Sequence, residues 1–97
     1  MVTETILLEF KERMHISHNE DDNLKRLLSS SFAYIKSKCG KFDLSGEEDT
    51  DLIAKELVFE RARYAYNDAL EYFDINFLSD INSLSLELLK DDDDAAI

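Results

Sequence analysis

The apolar positions along this chain recur at α-helical spacing and predict three or four helices separated by short breaks. Residues 3–14 carry one apolar stripe, which predicts a first helix. Residues 20–39 carry a second stripe, with acids at its start and lysines at its end, as the helix dipole prefers. Gly40 then stands where a left-handed residue commonly ends a helix. One face of this second helix is predicted to be core: Leu24, Leu27, Leu28, Ser31, Ile35 and Cys39.

The third helix is predicted to be long, over residues 49–72, with a break near 74–76. Its small-residue stripe permits close packing against other helices: Ala54, Val58, Ala62, Ala65 and Ala69. Two serine–glutamate pairs, Ser17 with Glu20 and Ser45 with Glu48, have the spacing of capping boxes. They predict where the second and third helices begin, with Asn19 as another candidate cap for the second.

The segment after the break fits two structures. Apolar residues recur there at helical spacing, at Phe77, Ile81, Leu84 and Leu88. The sequence SLSLEL, however, alternates apolar and polar residues as a strand does. We favour a short helix that loosens into an extended segment past Ser83, and both alternatives stay open.

These elements predict the fold class and the domain organisation. The fold is expected to be all-α, a small bundle of three to four helices with a long third helix and a short C-terminal helical or extended segment. Residues 1–90 form a single domain, and residues 91–97 are predicted to be an acidic disordered tail, because the four aspartates there repel one another.

The composition supports a helical fold and argues against some classes of binding partner. The 97 residues include two glycines and no proline, so few positions favour tight turns. Twenty-two acids against 11 bases give a net charge of −11, which opposes binding to nucleic acid and to anionic membranes. A lone cysteine, Cys39, on an apolar spacing predicts a packed thiol in a reducing compartment. No membrane span or secretion signal is apparent, so we expect a soluble protein that stays inside the cell that makes it.

No pattern in the chain predicts catalysis, a cofactor or a metal. His15 and His18 are spaced like a ligand pair but lack a third ligand nearby. The acids over 47–51 lack the residue order of a calcium-binding loop and suit the start of a helix. The serines over 29–31 have no glycine-rich elbow or matched base. We expect no enzyme activity.

The aromatic stretch over 59–77 points instead to assembly. It holds six of the ten aromatic residues, and its apolar groups fall on more than one helical face. Such a helix must be covered on several sides, by its own chain or by another subunit. Arg63 has an alternative role in an ion pair with Glu60. The candidate interface residues are Arg61, Arg63, Tyr64, Tyr72, Phe73, Phe77, Leu84, Leu86 and Leu88.

The order and lengths of these segments resemble a known family, the small head–tail connector (adaptor) proteins of long-tailed bacteriophages, also described as DNA-packaging connectors. The resemblance covers residues 3–89 and is closest to variants from phages of Gram-positive hosts. It rests on a first helix ending in RMHIS and a closing segment NFLSDINSLSLELL. Between them lie two longer segments, DDNLKRLLSSSFAYIKSKCG and DLIAKELVFERARYAYNDALEYF. The acidic tail is a departure that the family pattern does not require.

The resemblance implies a structural virion protein located at the head–tail junction, and in the host cytoplasm during assembly. Copies would form a ring, dodecameric in the virion, that binds the portal protein after genome packaging and extends the DNA channel. The ring would also bind the next head-completion or tail protein. The rival hypothesis is a small acidic inhibitor, a DNA mimic that occupies a host nucleic-acid-binding enzyme. We favour the connector, because the acids cluster at helix starts and in the tail rather than along one face.

Overall fold

The predicted all-α fold is confirmed by the computed structural model, which describes the backbone of residues 2–96 and the side chains of residues 2–89. Within that part of the chain there are four α-helices, one short 3₁₀ turn and no strand. The elements in chain order are α1 (Glu4–Met14), α2 (Asp21–Cys39), α3 (Asp49–Tyr66), the 3₁₀ turn (Leu70–Tyr72) and α4 (Phe73–Ala96).

The core lies where α2, α3 and α4 pack against one another, with α1 against α2. The predicted core face of α2 is confirmed, because all six of its residues are buried. The small-residue stripe of α3 faces inward as expected, with Ala54, Val58 and Ala62 fully buried. Cys39 is buried too, and burial raises the pKa of its thiol, as suits a packed side chain.

Neither of the two predicted capping boxes forms, and of the first three helices only α1 has a side-chain cap. Thr3 caps α1, where its hydroxyl accepts a hydrogen bond from the amide of Ile6 at 3.2 Å. Glu20 and Glu48 occupy the cap positions of α2 and α3, but neither side chain caps its helix. The carboxylate of Glu20 instead accepts a hydrogen bond from the Tyr66 hydroxyl at 2.6 Å, which ties the start of α2 to the end of α3.

Gly40 ends α2 in a conformation different from the predicted left-handed one. Its φ of 119° and ψ of −174° lie in a region that is essentially restricted to glycine. A Cβ added at Gly40 would lie 3.6 Å from the Cβ of Leu88, so α4 passes close to this turn. Glycine is therefore required here by the backbone rather than by lack of space.

The third helix is shorter than the predicted 49–72, because α3 ends at Tyr66 and the break precedes the predicted one. Asn67 and Asp68 form the turn, with Asp68 at a φ of 55°, and both residue types tolerate such geometry. The amide of Ala69 donates to the carbonyl of Tyr64 at 2.8 Å and closes the helix end. Phe73 therefore opens a new helix instead of following an old one.

The C-terminal segment is the longest helix, with 24 residues, rather than a short or extended piece. SLSLEL is helical: Leu84 and Leu88 are buried, whereas Leu86 is exposed. The backbone of α4 continues to Ala96, where the sequence predicts a disordered tail over 91–97. The side chains of residues 90–97 and all of Ile97 lie outside the described residues, so the domain boundary at residue 90 stays a prediction.

Candidate assembly surface

Helix α4 has two apolar faces, of which the described part of the chain covers one. The covered face follows the spacing i, i+4, i+8, i+11, i+15 and comprises Phe73, Phe77, Ile81, Leu84 and Leu88. The other face follows i, i+3, i+7, i+11, i+14, and its centre lies about 140° around the helix at 100° per residue. We call it the outer stripe; it comprises Ile75, Leu78, Asn82, Leu86 and Leu89.

The apolar side chains of the outer stripe are strongly exposed. Their relative exposures are 77% for Ile75, 57% for Leu78, 64% for Leu86 and 55% for Leu89. Single exposed leucines are common on proteins, but four exposed apolar side chains on one helix face, with only the amide of Asn82 between them, are not. The acids of α4 before residue 90, at 74, 80 and 87, all lie off this face. The outer stripe is therefore a surface of the kind that another protein covers.

A groove of about 510 Å³ lies between α3 and α4, on a different side of α4 from the outer stripe. We call it the α3–α4 groove. Leu57, Phe77 and Leu84 contribute apolar lining, with half-exposed Ile53 beside them. Its acidic lining residues are Glu56, Glu60, Asp80 and Glu87.

Two of these carboxylates are already paired with arginines. Arg13 of α1 donates from Nη1 to Glu56 Oε1 at 2.9 Å, and its Nη2 lies 3.7 Å from Glu60 Oε1. Arg63 donates from Nε to Glu60 Oε2 at 2.9 Å. The groove therefore has an apolar floor with walls whose charge is partly neutralised.

Arg61 joins three helices within the subunit. Its guanidinium carbon lies 4.2 Å from the ring centroid of Tyr34, and Nη1 donates to the Ser31 hydroxyl at 3.2 Å. Tyr34 in turn donates to Asp74 Oδ1 at 2.6 Å, which connects α2 to α4. Burial lowers the pKa of Arg61, but an arginine pKa starts far enough above 7 that the side chain stays charged. Arg61 therefore makes its contacts within its own subunit, at the packing of α3 against α2.

Tyr64 also has partners within the chain. Its ring meets those of Phe73 and Phe77 edge to face, with centroids 5.8 and 5.7 Å away. Its hydroxyl accepts a hydrogen bond from Asn76 Nδ2 at 3.0 Å. This cluster holds the start of α4 against the end of α3.

The structure divides the nine candidate interface residues into three groups. Phe73, Leu84 and Leu88 are core residues, which corrects the expectation that they face a neighbour in this conformation. Half-buried residues with contacts inside the subunit form the second group: Arg61, Arg63, Tyr64 and Phe77. The third group is exposed and consists of Tyr72 and Leu86.

Sequence reasoning missed Ile75, Leu78 and Leu89 of the outer stripe. A helical projection of the whole segment 73–89 would have found them, because their spacing is as regular as that of the buried face. The predicted break at 74–76 hid this pattern, since it placed Ile75 between two elements.

No family model, curated protein or solved structure matches this chain. In the described part of the chain, no helix is both long and apolar enough to cross a bilayer. Among the same residues, no three potential metal-binding side chains come together.

Proposed function

We propose that this chain is a structural virion subunit of the head–tail connector type, which forms a ring at the phage portal vertex and extends the DNA channel. The observation that carries the assembly part is the outer stripe, an uncovered apolar row on α4. The connector part is supported by the resemblance in the order and lengths of the helical segments.

A ring requires two different patches on each subunit that meet head to tail. The outer stripe and the α3–α4 groove are two such patches, because they lie on different sides of one helix. In the proposed ring, the outer stripe of one copy contacts the groove of the next. Burial of leucines in a groove with an apolar floor would supply the favourable free energy.

The ion pairs argue against the rival function of a DNA mimic. Mimicry needs rows of unpaired carboxylates that present the charge pattern of phosphates. Many acids on the helices are instead paired with bases, as in the contacts Glu4–Lys25, Glu9–Lys55, Asp21–Lys11, Glu56–Arg13 and Glu60–Arg63. The connector is therefore the better supported of the two.

Assembly on purified portal particles tests the proposal. The chain should co-sediment with portal particles and add a ring of density in electron micrographs. Leu86→Glu in the outer stripe and Ser83→Glu in the groove should both abolish the ring, since head-to-tail contact needs both patches. Thr5→Glu adds the same charge on an exposed position of α1 and should assemble normally. A chain that ignores portal particles and captures a host DNA-binding enzyme instead would overturn the proposal.

A further inference from the structure

The outer stripe is symmetric about its central residue. Leu78 and Leu86 lie four residues on either side of Asn82, and Ile75 and Leu89 lie seven residues on either side. All five belong to one continuous helix, and all five are exposed. At 1.5 Å per residue the stripe is about 21 Å long, which is four turns of helix.

This symmetry makes the stripe complementary to a second copy of itself. If two α4 helices lie antiparallel with a two-fold axis at Asn82, Ile75 meets Leu89 of the other copy and Leu78 meets Leu86. A two-fold interface of this kind uses the same patch on both subunits. Asn82 would meet its own counterpart, and an amide is both donor and acceptor, so the two can hydrogen-bond. A polar residue at the centre of an apolar seam also fixes its register.

The distribution of charge favours a second copy as the occupant. A subunit with a net charge of −11 repels its own kind wherever carboxylates would face each other. The outer stripe carries no charged residue, and the flanking positions Ser79 and Ser85 are uncharged as well. Asp80 and Glu87 line the α3–α4 groove instead. Two charged residues, Lys38 and Asp74, line a groove with Leu78 and Asn82, and their charges are of opposite sign. Pairing of two stripes therefore places no carboxylate of the stripe itself against another.

We propose that the free chain forms an antiparallel dimer through the outer stripe, centred on Asn82. The dimer goes beyond the proposed function, because a two-fold pair is not a ring. While the stripes are paired, neither can enter a groove, so ring formation requires the pair to separate. That last step rests on the proposed function; the dimer itself does not.

Light scattering over a concentration series measures the mass of the free chain and so tests for the dimer. Charged variants then test which positions of the two helices face each other. The wild-type mass should rise from 11.2 kDa toward twice that value. Leu78→Lys and Leu86→Glu should each weaken dimerisation about tenfold or more, since each buries an unpaired charge. Mixed together, they should restore a dimer, because position 78 faces position 86 of the other copy. A mixture of Leu78→Lys with Leu78→Glu should not restore it.

Two control variants separate this contact from the head-to-tail one. Ser83→Glu and Thr5→Glu add carboxylates in the groove and on α1, and both should dimerise like the wild type. Loss of the dimer in Ser83→Glu would show that the stripe binds the groove and would overturn the two-fold arrangement. Two other results would also overturn it. One is a dimer restored by mixing the two variants at position 78, which would indicate parallel helices. The other is a wild type that stays monomeric at millimolar concentration.

Circular dichroism checks that each variant keeps its helices. If a charged variant unfolds, cysteine cross-linking gives the same answer, since residue 82 alone lies on the axis. Asn82→Cys should then oxidise to a disulfide-linked dimer and Ile75→Cys should not, and the reverse result would overturn the proposal. If the free chain is monomeric but forms a ring on portal particles, the dimer proposal is wrong and the connector function is supported. If the free chain is a dimer that never binds portal particles, the connector function is wrong and the dimer is supported.

Discussion

The two faces of α4 have the same kind of side chains and opposite environments. Leu84 and Leu88 on one face are 2% and 6% exposed, whereas Leu86 and Leu89 on the other are 64% and 55% exposed. The difference is made by the neighbouring helices, because α2 and α3 both pack against α4 and their contact buries the first face but leaves the outer stripe exposed. Apolar periodicity identifies a face that needs covering; tertiary packing decides whether the same chain covers it.

The largest expected loss of stability comes from a substitution on the covered face of α4. Leu84→Ala should lower the free energy of unfolding by about 2–5 kcal/mol, because it removes a buried side chain and leaves a cavity. The matched change Leu86→Ala on the outer stripe should alter it by less than about 0.5 kcal/mol for the monomer. Urea denaturation at low protein concentration measures both. Equal losses would mean that the outer stripe is buried in the monomer.

Gly40→Ala tests the turn that lets α4 approach α2. The backbone of Gly40 lies in a region that costs other residues about 1–3 kcal/mol, so the variant should lose stability in that range. Space is not the reason, since the added Cβ would contact Leu88 at an ordinary 3.6 Å. Thermal unfolding monitored by circular dichroism measures the loss. A variant as stable as the wild type would show that the turn can relax to another conformation.

Local signals explain which elements the sequence predicts well. The bounds of α2 and all six of its buried residues follow from one unambiguous apolar stripe, with charges placed as the helix dipole prefers. The end of α3 could not be placed, because the stripe of Ala62, Ala65 and Ala69 continues in register across Asn67 and Asp68. The alanine stripe predicts a helix that continues through these two turn-forming residues, although the helix ends there.

The candidate interface was harder to predict than the fold, since exposure depends on which neighbours compete for a side chain. Arg61 is a candidate interface residue by its stripe, yet Tyr34 and Ser31 of α2 contact it within the subunit. Those partners are 27 and 30 residues away in the sequence, and no local pattern reveals them. The outer stripe, by contrast, is visible in the sequence once α4 is known to begin at Phe73.

Arg61→Ala sharpens the distinction between internal and external residues. Loss of the contacts to Tyr34 and Ser31 should lower the free energy of unfolding by about 1–2 kcal/mol. Tyr72→Ala, a change at a 57% exposed side chain, should cost less than about 0.5 kcal/mol. Chemical denaturation compares the two. If Arg61→Ala is neutral for stability but abolishes ring assembly, Arg61 serves the interface after all.

The smallest expected effect concerns pH and the ion pair beside the α3–α4 groove. The hydrogen bond from Arg13 lowers the pKa of Glu56 in the folded chain. Glu56 therefore contributes stability above its unfolded pKa of about 4.3, and loses that contribution as the pH falls through its folded pKa. The Glu56 side chain is 56% exposed, so solvent screening limits the contribution to below about 1 kcal/mol.

The variant Glu56→Gln tests this contribution. At pH 7 it should lower the free energy of unfolding slightly relative to Glu12→Gln, which removes the same charge from an exposed position on α1. The gap between the two variants should narrow in urea titrations as the pH falls below about 4.3, the unfolded pKa. A gap that does not change with pH would mean that packing of the Glu56 side chain, rather than its charge, stabilises the wall of the groove.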